Sequence, residues 1–186
     1  MKRAVLVIDV IHDFVYGKFG SERAASILTR LKSLLEYARD AGVPVVYVSD
    51  AHLPVGDGEF EVWGEHAVEG SEGAEVVGEV RPEEGDFRVL KRRYSCFYAT
   101  GLDALLRELG VDAVVLTGLV TDICIQHTAA DAFFRGYGVL IPRDCVEAVS
   151  DEAQEGSLGY MERMYGAEIT SSEELMGGLL LGGGSG

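Results

Sequence analysis

Short apolar, β-branched runs alternate along the chain with longer segments whose apolar residues recur every three or four positions. Runs of the first kind are typical of buried strands, and segments of the second kind are typical of amphipathic helices. The six predicted strands cover residues 4–9, 43–50, 87–91, 112–118, 137–144 and 167–170. The predicted helices cover residues 24–38, 102–109, 122–135 and 152–165.

This alternation of strand and helix predicts the fold class. Parallel strands are joined by crossover connections, usually helices, which cover both faces of the sheet. We therefore expect an α/β, three-layer Rossmann-like fold, with about six strands in a mostly parallel sheet and helices on both faces. Residues 1–176 are predicted to form a single domain, and the glycine-rich residues 177–186 a flexible tail.

Composition and charge narrow the range of partners. The chain has 31 acidic and 16 basic residues, a net charge of −15, so nucleic acid and anionic membrane surfaces would repel it. We expect no nucleic-acid partner, no membrane partner and a small-molecule ligand instead. The three cysteines, Cys96, Cys124 and Cys145, are odd in number and far apart. They predict reduced thiols and a cytoplasmic location.

The residues that end the predicted strands are the first candidates for chemistry. In sheets of this kind, ligands bind outside the carboxyl ends of the strands. Asp9 ends the first strand, Asp50 ends the second and is followed by His52, and Lys91 ends the third. The fourth strand leads into the segment that contains Cys124. A carboxylate, an amine, a thiol and a possible metal-binding pair are therefore expected to converge on one edge.

Cys124 is the candidate nucleophile. It lies in the first turn of a predicted helix, where free amide groups and the helix dipole favour a thiolate and can bind an oxyanion. Asp9 is the predicted proton acceptor. Lys91 is expected to hold the thiolate and Asp9 in their charged forms. Cys96 and Cys145 are interpreted as buried, inert thiols.

Other classes of protein explain the sequence less well. A dinucleotide-binding protein needs a glycine trio after the first strand, and VIDVIHDF contains no glycine. A phosphatase with Asp9 as its nucleophile would leave Cys124 without a role. A non-enzymatic thiol redox sensor stays an alternative, because an activated cysteine is easily oxidised. His127 is expected to face packing or a subunit contact and not to act as the base.

Three motifs carry a resemblance to a known family. VLVIDVIHDF, LKRRYSCFYATGL and GLVTDIC followed by TAADA resemble the isochorismatase-like cysteine hydrolases, in particular the nicotinamidase and N-carbamoylsarcosine amidase branches. The resemblance implies a catalytic triad of Asp9, Lys91 and Cys124. It also implies a cis peptide between Leu119 and Val120, with the amides of Val120 and Cys124 directed at the oxyanion.

The same resemblance implies a metal site and a substrate pocket. An Asp-x-His pair and a Trp-x-x-His stretch are similar to those with which nicotinamidases bind a divalent metal. By this resemblance Asp50, His52 and His66 are the metal ligands, for zinc or alternatively for iron or manganese. Phe14 and Trp63 are expected to be walls of the substrate pocket. No organic cofactor is expected.

The implied activity is that of a cysteine amidohydrolase. It would hydrolyse a small carboxamide of the nicotinamide type to an acid and ammonia through a thioester. An N-carbamoylsarcosine amidase, or another ureido or carbamoyl amidohydrolase, is the alternative, because the chain departs from the usual nicotinamidase pattern at His12, Ala51 and Ala67. A homo-oligomer, dimer or tetramer, is expected.

Overall fold

The computed structural model describes residues 1–181, and residues 182–186 lie outside the described part. Its strands form one sheet in which all pairs of strands run parallel. The strands are β1 (Arg3–Ile8), β2 (Val45–Asp50), β3 (Phe87–Lys91), β4 (Ala113–Leu119), β5 (Gly138–Pro142), β6 (Val146–Glu147) and β7 (Glu168–Thr170). They are arranged in the order β3-β2-β1-β4-β5-β7, and the short β6 pairs with the end of β4.

The helices connect the strands and include several short segments. They are α1 (His12–Val15), α2 (Glu22–Ser26), α3 (Leu28–Asp40), α4 (Phe60–Trp63), α5 (Leu102–Glu108), α6 (Gln126–Phe134), α7 (Asp151–Tyr165) and α8 (Ser172–Met176). Within residues 1–181, none of them combines the length and the apolar character needed to cross a membrane.

Alternate residues of the central strand β1 face opposite sides of the sheet. Leu6 and Ile8 belong to an apolar cluster with residues of α5, α6 and α7. Val5 and Val7 belong to a second cluster with residues of α2, α3 and α8. Because both faces of the strand are buried, it is apolar from Ala4 to Ile8 instead of alternating. The predicted three-layer α/β fold with a mostly parallel sheet is confirmed, with one more short strand than the sequence indicated.

Two predicted helices have a different internal structure. The segment predicted as residues 24–38 is interrupted at Ile27, which ends α2 and precedes α3 while keeping nearly helical angles. The segment predicted as residues 122–135 begins with a π-helical turn at Thr121–Ile125, and regular helix starts only at α6. The N–H of Ile125 donates to the carbonyl of Val120, five residues earlier. Apolar periodicity does not distinguish such a turn from an α-helix.

The carboxyl terminus differs in part from the predicted flexible tail of residues 177–186. Leu179–Leu181 form a 3-10 turn, and Leu180 is buried in the cluster that contains Leu175 of α8. Leu180 therefore contributes to the core and Leu179 packs against it, whereas Leu181 is exposed. The rest of the predicted tail, residues 182–186, lies outside the described residues.

We predict that Gly118→Ala strongly destabilises the fold. Gly118 in β4 has a φ of 107°, and a Cβ there would overlap the carbonyl oxygen of Ile8 in β1. The free energy of unfolding should fall by about 3 kcal/mol or more, as measured by denaturant titration. Gly42→Ala is the control, because Gly42 also has a positive φ, 69°, but has open space around it. It should lose only about 1 kcal/mol, and equal losses would contradict the close-contact explanation.

Candidate functional site

The carboxyl ends of adjacent strands bring the predicted chemical groups together. Asp9 follows β1 directly with a left-handed φ of 52°, a conformation that aspartate tolerates better than most residues. Asp50 and Lys91 end β2 and β3, and the strand register places them side by side. Cys124 lies in the π-helical turn that follows β4. All four side chains are buried at this edge of the sheet.

The ammonium group of Lys91 has three polar neighbours. Its Nζ lies 2.7 Å from Asp9 Oδ2 and 2.6 Å from Asp50 Oδ1. It also lies 3.6 Å from the sulfur of Cys124, within hydrogen-bonding reach for that element. Lys91 is 1% exposed and Asp9 0% exposed, so water does not compete for these contacts. A lysine ammonium has three hydrogens, and Asp50 Oδ1 and the Cys124 sulfur accept two of them here.

Asp9 presents its two carboxylate oxygens to different groups. Oδ1 accepts a hydrogen bond of 2.8 Å from the backbone N–H of Asp50. Oδ2 forms the ion pair with Lys91 but no well-aligned hydrogen bond, so it keeps acceptor capacity. An oxygen of Asp9 lies within 4.8 Å of the Cys124 sulfur. A small side-chain movement would bring the thiol proton to this carboxylate.

Burial sets the protonation states of these groups. Burial, together with the charge of Asp50, raises the pKa of Asp9 to about 6, although Lys91 opposes the shift. Burial also raises the pKa of Cys124 well above its usual value, and the two carboxylates add to the effect despite Lys91. Against the burial effect, Asp50 and Asp9 hold the pKa of Lys91 well above its usual value. The arrangement therefore favours a neutral thiol beside a carboxylate, not the resting thiolate that the sequence suggested.

The segment before the nucleophile has the predicted backbone feature. The peptide between Leu119 and Val120 is cis. The carbonyl of Val120 accepts hydrogen bonds from the N–H groups of Ile123 and Ile125, which closes the turn around Cys124. The thiol is thus presented by a π-helical turn and not by the first turn of a regular α-helix.

Asp50, His52 and His66 form a buried cluster beside the lysine. One potential ligand atom of each lies within 4.8 Å of those of the other two. Nε2 of His52 is buried and has no hydrogen-bond partner. Against the effect of burial, Asp50 and Asp57 raise the pKa of His52, because negative charge surrounds it. Two imidazoles and a carboxylate in negative surroundings fit zinc, iron or manganese.

Hydrogen bonds fix which nitrogen of each histidine is available. Nδ1 of His52 lies 3.0 Å from Asp57 Oδ2, and Nδ1 of His66 lies 2.8 Å from the carbonyl oxygen of Gly64. The carbonyl oxygen of Gly64 can only accept. Asp57 also accepts: although burial opposes it, the hydrogen bonds from His52 and from the amide of Glu59 lower the pKa of Asp57 to about 2. Nδ1 therefore carries the hydrogen in each ring, and the Nε2 lone pair is left for a metal.

The loop that contains His66 is attached to the sheet by backbone contacts. The N–H of His52 donates to the carbonyl of Ala67, and the N–H of Ala67 donates to Asp13 Oδ2, at 2.9 Å and 2.8 Å. Asp13 belongs to α1, which follows β1. These bonds hold His66 close to His52, although a long irregular segment separates the two residues in the sequence.

Aromatic side chains pack around His66. The rings of Phe14 and Phe19 lie 5.8 Å and 5.2 Å from the His66 ring, centre to centre. The indole of Trp63 lies 6.2 Å from Phe19 and donates to the hydroxyl of Tyr94 at 2.9 Å. The predicted wall residues Phe14 and Trp63 thus lie on one aromatic surface next to the candidate ligands.

Other residues considered in the sequence lie outside the cluster. His127 is exposed, donates from Nδ1 to the carbonyl of Ile123 and contacts the ring of Tyr94. Cys145 is buried in the core on the other face of the sheet. Cys96 is also buried, and burial raises its pKa to about 12. Within residues 1–181, none of the three makes a hydrogen bond to the Cys124 sulfur, whereas Lys91 does.

Sequence reasoning missed several residues around the site. Asp57 and Glu59 are 7% exposed and lie within reach of His52. Phe19 and Tyr94 extend the aromatic surface. Asp57 and Glu59 fall in a segment rich in acidic residues. Only their position between the two histidines could have identified them as residues of the site.

This chain is similar to proteins of known family and structure. Residues 3–174 match the isochorismatase domain family. The structure of N-carbamoylsarcosine amidase from Thermoplasma acidophilum is 40% identical with a TM-score of 0.87, over 93% of this chain and 98% of that chain. Nicotinamidase from Bacillus subtilis is 31% identical with a TM-score of 0.87, over 92% of this chain and 100% of that chain.

Two further relatives bear on the metal and on the reaction. Pyrazinamidase of Pyrococcus horikoshii, solved in complex with zinc, is 28% identical with a TM-score of 0.85, over 92% of this chain and 99% of that chain. Maleamate amidohydrolase from Pseudomonas putida is 30% identical over 182 residues, 94% of this chain and 85% of the relative. Amidases thus recur among the similar proteins, with different substrates.

We predict that Lys91→Met destabilises the protein in a pH-dependent way. Without the ammonium group, Asp9 and Asp50 lie buried with no lysine or arginine beside them, and removal of one partner from a buried pair costs about 3 to 5 kcal/mol. The pKa of a carboxyl is then higher in the folded than in the unfolded state. The loss is largest above the folded-state pKa and shrinks as the pH falls toward about 4.

Urea unfolding of Lys91→Met and wild type at pH 7.5 and pH 5 measures this loss. Arg88→Met is the matched control, because Arg88 is an exposed cation of the same strand, and it should change stability little at either pH. A loss for Lys91→Met that is equal at both pH values would contradict the charge explanation.

Proposed function

This chain belongs to the isochorismatase family of hydrolases, and we propose that it is a cysteine amidohydrolase that cleaves a small carboxamide. The observation that carries the proposal is the buried contact of the Lys91 ammonium with Asp9 and with the sulfur of Cys124. The amidases among the similar proteins support an amide as the bond that is cleaved.

In the first half of the reaction, Cys124 attacks the amide. The thiol proton passes to Oδ2 of Asp9 while the sulfur bonds to the carbonyl carbon and the carbonyl oxygen becomes an oxyanion. The amides of Val120 and Cys124 are the proposed donors to that oxyanion. Asp9 then gives the proton to the leaving nitrogen, the C–N bond breaks, and ammonia leaves a thioester on Cys124.

In the second half, water hydrolyses the thioester. Asp9 takes a proton from the water as its oxygen bonds to the acyl carbon. The C–S bond breaks, the acid leaves, and the proton returns from Asp9 to the sulfur. Lys91 stays protonated throughout and stabilises negative charge on whichever partner carries it.

Asp50, His52 and His66 are the proposed ligands of a divalent metal, for which zinc is the first candidate. A metal held there would act as a Lewis acid toward an oxygen or nitrogen atom of the substrate. These residues would hold it beside both the aromatic surface and the triad, because His66 packs against Phe14 and Asp50 contacts Lys91.

A flat amide of the nicotinamide type is the first substrate candidate. The aromatic surface formed by Phe14, Phe19 and Trp63 lies next to His66 and suits an aromatic ring. A pyridine-like nitrogen would also suit a metal site rich in imidazole ligands.

A carbamoyl or ureido acid is the second candidate, and Lys18 favours it. The Nζ of Lys18 lies 2.8 Å from the carbonyl oxygens of Trp63 and Glu65 and 5.2 Å from the centre of the Phe19 ring. Within residues 1–181 it makes no ion pair, whereas Lys91 contacts two carboxylates. Lys18 is therefore a cation at the aromatic surface that could hold the carboxylate of such a substrate.

We predict that Cys124→Ala abolishes ammonia release from every amide that the wild type hydrolyses, with the protein still folded. Because Asp9 must accept a proton, kcat/KM of the wild type should fall as the pH drops through the Asp9 pKa, which burial raises to about 6. Asp9→Asn should lower kcat by about 100-fold or more.

Ammonia assays from pH 4.5 to 8.5 and mass spectrometry of quenched enzyme for a thioester on Cys124 test these statements. Residual amidase activity in Cys124→Ala would sink the proposed mechanism. A folded wild type that releases no ammonia from carboxamides or ureido acids would favour the thiol redox sensor.

Lys18→Gln separates the two substrate candidates. For an anionic carbamoyl or ureido acid, loss of the charge should raise KM about tenfold with little change in kcat. For nicotinamide, which is neutral, both constants should stay near wild type. Steady-state kinetics with nicotinamide, N-carbamoylsarcosine and other ureido acids decide the matter, and Lys32→Gln, on the exposed face of α3, is the control.

A further inference from the structure

The indole of Trp63 lies on a short helix that is not anchored in the core. Trp63 ends α4, a helix of four residues none of which is buried, and is itself 40% exposed. Its carbonyl oxygen accepts from Lys18 Nζ, and its ring meets the ring of Phe19 edge to face. Its Nε1 donates to the hydroxyl oxygen of Tyr94 at 2.9 Å. Because Nε1–H is the only polar group of an indole, this bond fixes how the ring is turned.

The segment that carries Tyr94 is attached to the helix behind the nucleophile. The ring of Tyr94 packs against the apolar cluster that contains residues of α5, α6 and α7. The next residue, Ser95, donates from Oγ to the carboxylate of Asp131 in α6. The backbone N–H of Cys96 donates to Oγ1 of Thr128, also in α6, at 3.0 Å. The hydroxyl of Tyr94 is therefore a fixed acceptor, whereas the helix that carries its donor is loosely packed.

Tyr94 also contacts a side chain that is bonded to the nucleophile turn. Its ring lies 5.3 Å from the ring of His127, centre to centre. Nδ1 of His127 donates to the carbonyl oxygen of Ile123 at 2.7 Å. Ile123 belongs to the π-helical turn that presents Cys124. A continuous series of contacts thus leads from the indole of Trp63 through Tyr94 and His127 to that turn.

We propose that Tyr94 is a positioning residue, which fixes the indole of Trp63 relative to the nucleophile turn. His127 supports it by holding the ring of Tyr94. A flat aromatic amide then meets a wall that is already in place, and its binding free energy is not spent on ordering that wall. The effect on substrate binding rests on the proposed amidase function, whereas the effect on the position of the indole does not.

Fluorescence of Trp63 tests the proposal without a substrate. Trp63 is the only tryptophan of the chain, so the emission reports on this ring alone. Tyr94→Phe keeps the aromatic ring and removes the acceptor. We expect faster nanosecond depolarisation and stronger quenching by acrylamide than in wild type, because a released surface side chain changes rotamer on the picosecond to nanosecond timescale.

Tyr137→Phe is the matched control for the loss of a tyrosine hydroxyl. The hydroxyl of Tyr137 donates to Oδ1 of Asp103 at 2.8 Å. Tyr137 immediately precedes β5 and so lies at the amino end of the strands, away from the site. Depolarisation and quenching of Trp63 in this variant should equal those of wild type.

Steady-state kinetics measure the consequence for an aromatic amide that the wild type hydrolyses. In Tyr94→Phe its KM should rise about fivefold, the equivalent of one ordinary hydrogen bond, while kcat stays within about twofold. The reason is that binding must first order the wall, which is in place once the substrate is bound. KM for a ureido acid without a ring should rise less. A fall in kcat with an unchanged KM would contradict a positioning role for Tyr94.

His127→Ala tests the support of Tyr94. This variant should speed the depolarisation of Trp63 less than Tyr94→Phe does. In the double variant it should add nothing, because His127 acts through Tyr94. Full additivity of the two changes would contradict this role of His127.

Unchanged depolarisation and quenching in Tyr94→Phe, in a protein with the circular dichroism spectrum of wild type, would overturn the proposal. A looser indole in a protein that releases no ammonia from any amide would support the positioning role of Tyr94 and sink the amidase function. The two proposals therefore fail separately.

Discussion

The buried ammonium group of Lys91 is the interaction on which the rest of the site depends. A charge that is 1% exposed is tolerated only if nearby groups replace the water that it loses. Asp9, Asp50 and the sulfur of Cys124 supply that replacement, and they come from the ends of β1 and β2 and from the turn after β4. The sheet order β3-β2-β1-β4 places these elements side by side. The fold therefore assembles the charge cluster, and the cluster pairs the charged groups that the fold buries.

Asp50 connects the candidate catalytic triad to the candidate metal site. Its Oδ1 contacts Lys91, its Oδ2 faces His52, and its backbone N–H donates to Asp9. A change of charge in the candidate triad therefore alters the electrostatic environment of the candidate metal site through Asp50, and the reverse also holds. A metal bound by Asp50, His52 and His66 and the protonation of the triad would influence each other for this reason.

The positions of the strand-end residues followed from the sequence because local patterns decide them. Apolar runs identified β1 to β4, and the rule that ligands bind at carboxyl ends selected Asp9, Asp50, Lys91 and Cys124. The cis peptide before Val120 and the inclusion of His66 depended on the family resemblance and not on periodicity. Segments with weak periodicity, such as the short helix α4, could not be predicted in this way.

The sequence by itself determined the three-layer fold and which polar residues meet at one edge of the sheet, because both depend on the order of elements along the chain. Only the tertiary structure decided their electrostatic states. Burial beside two carboxylates raises the pKa of Cys124, whereas its place after a strand had suggested a thiolate. Likewise, Glu59 is buried and Glu61, two residues away, is exposed. Desolvation and through-space distances arise from the packing of elements that are distant in sequence, and no local pattern records them.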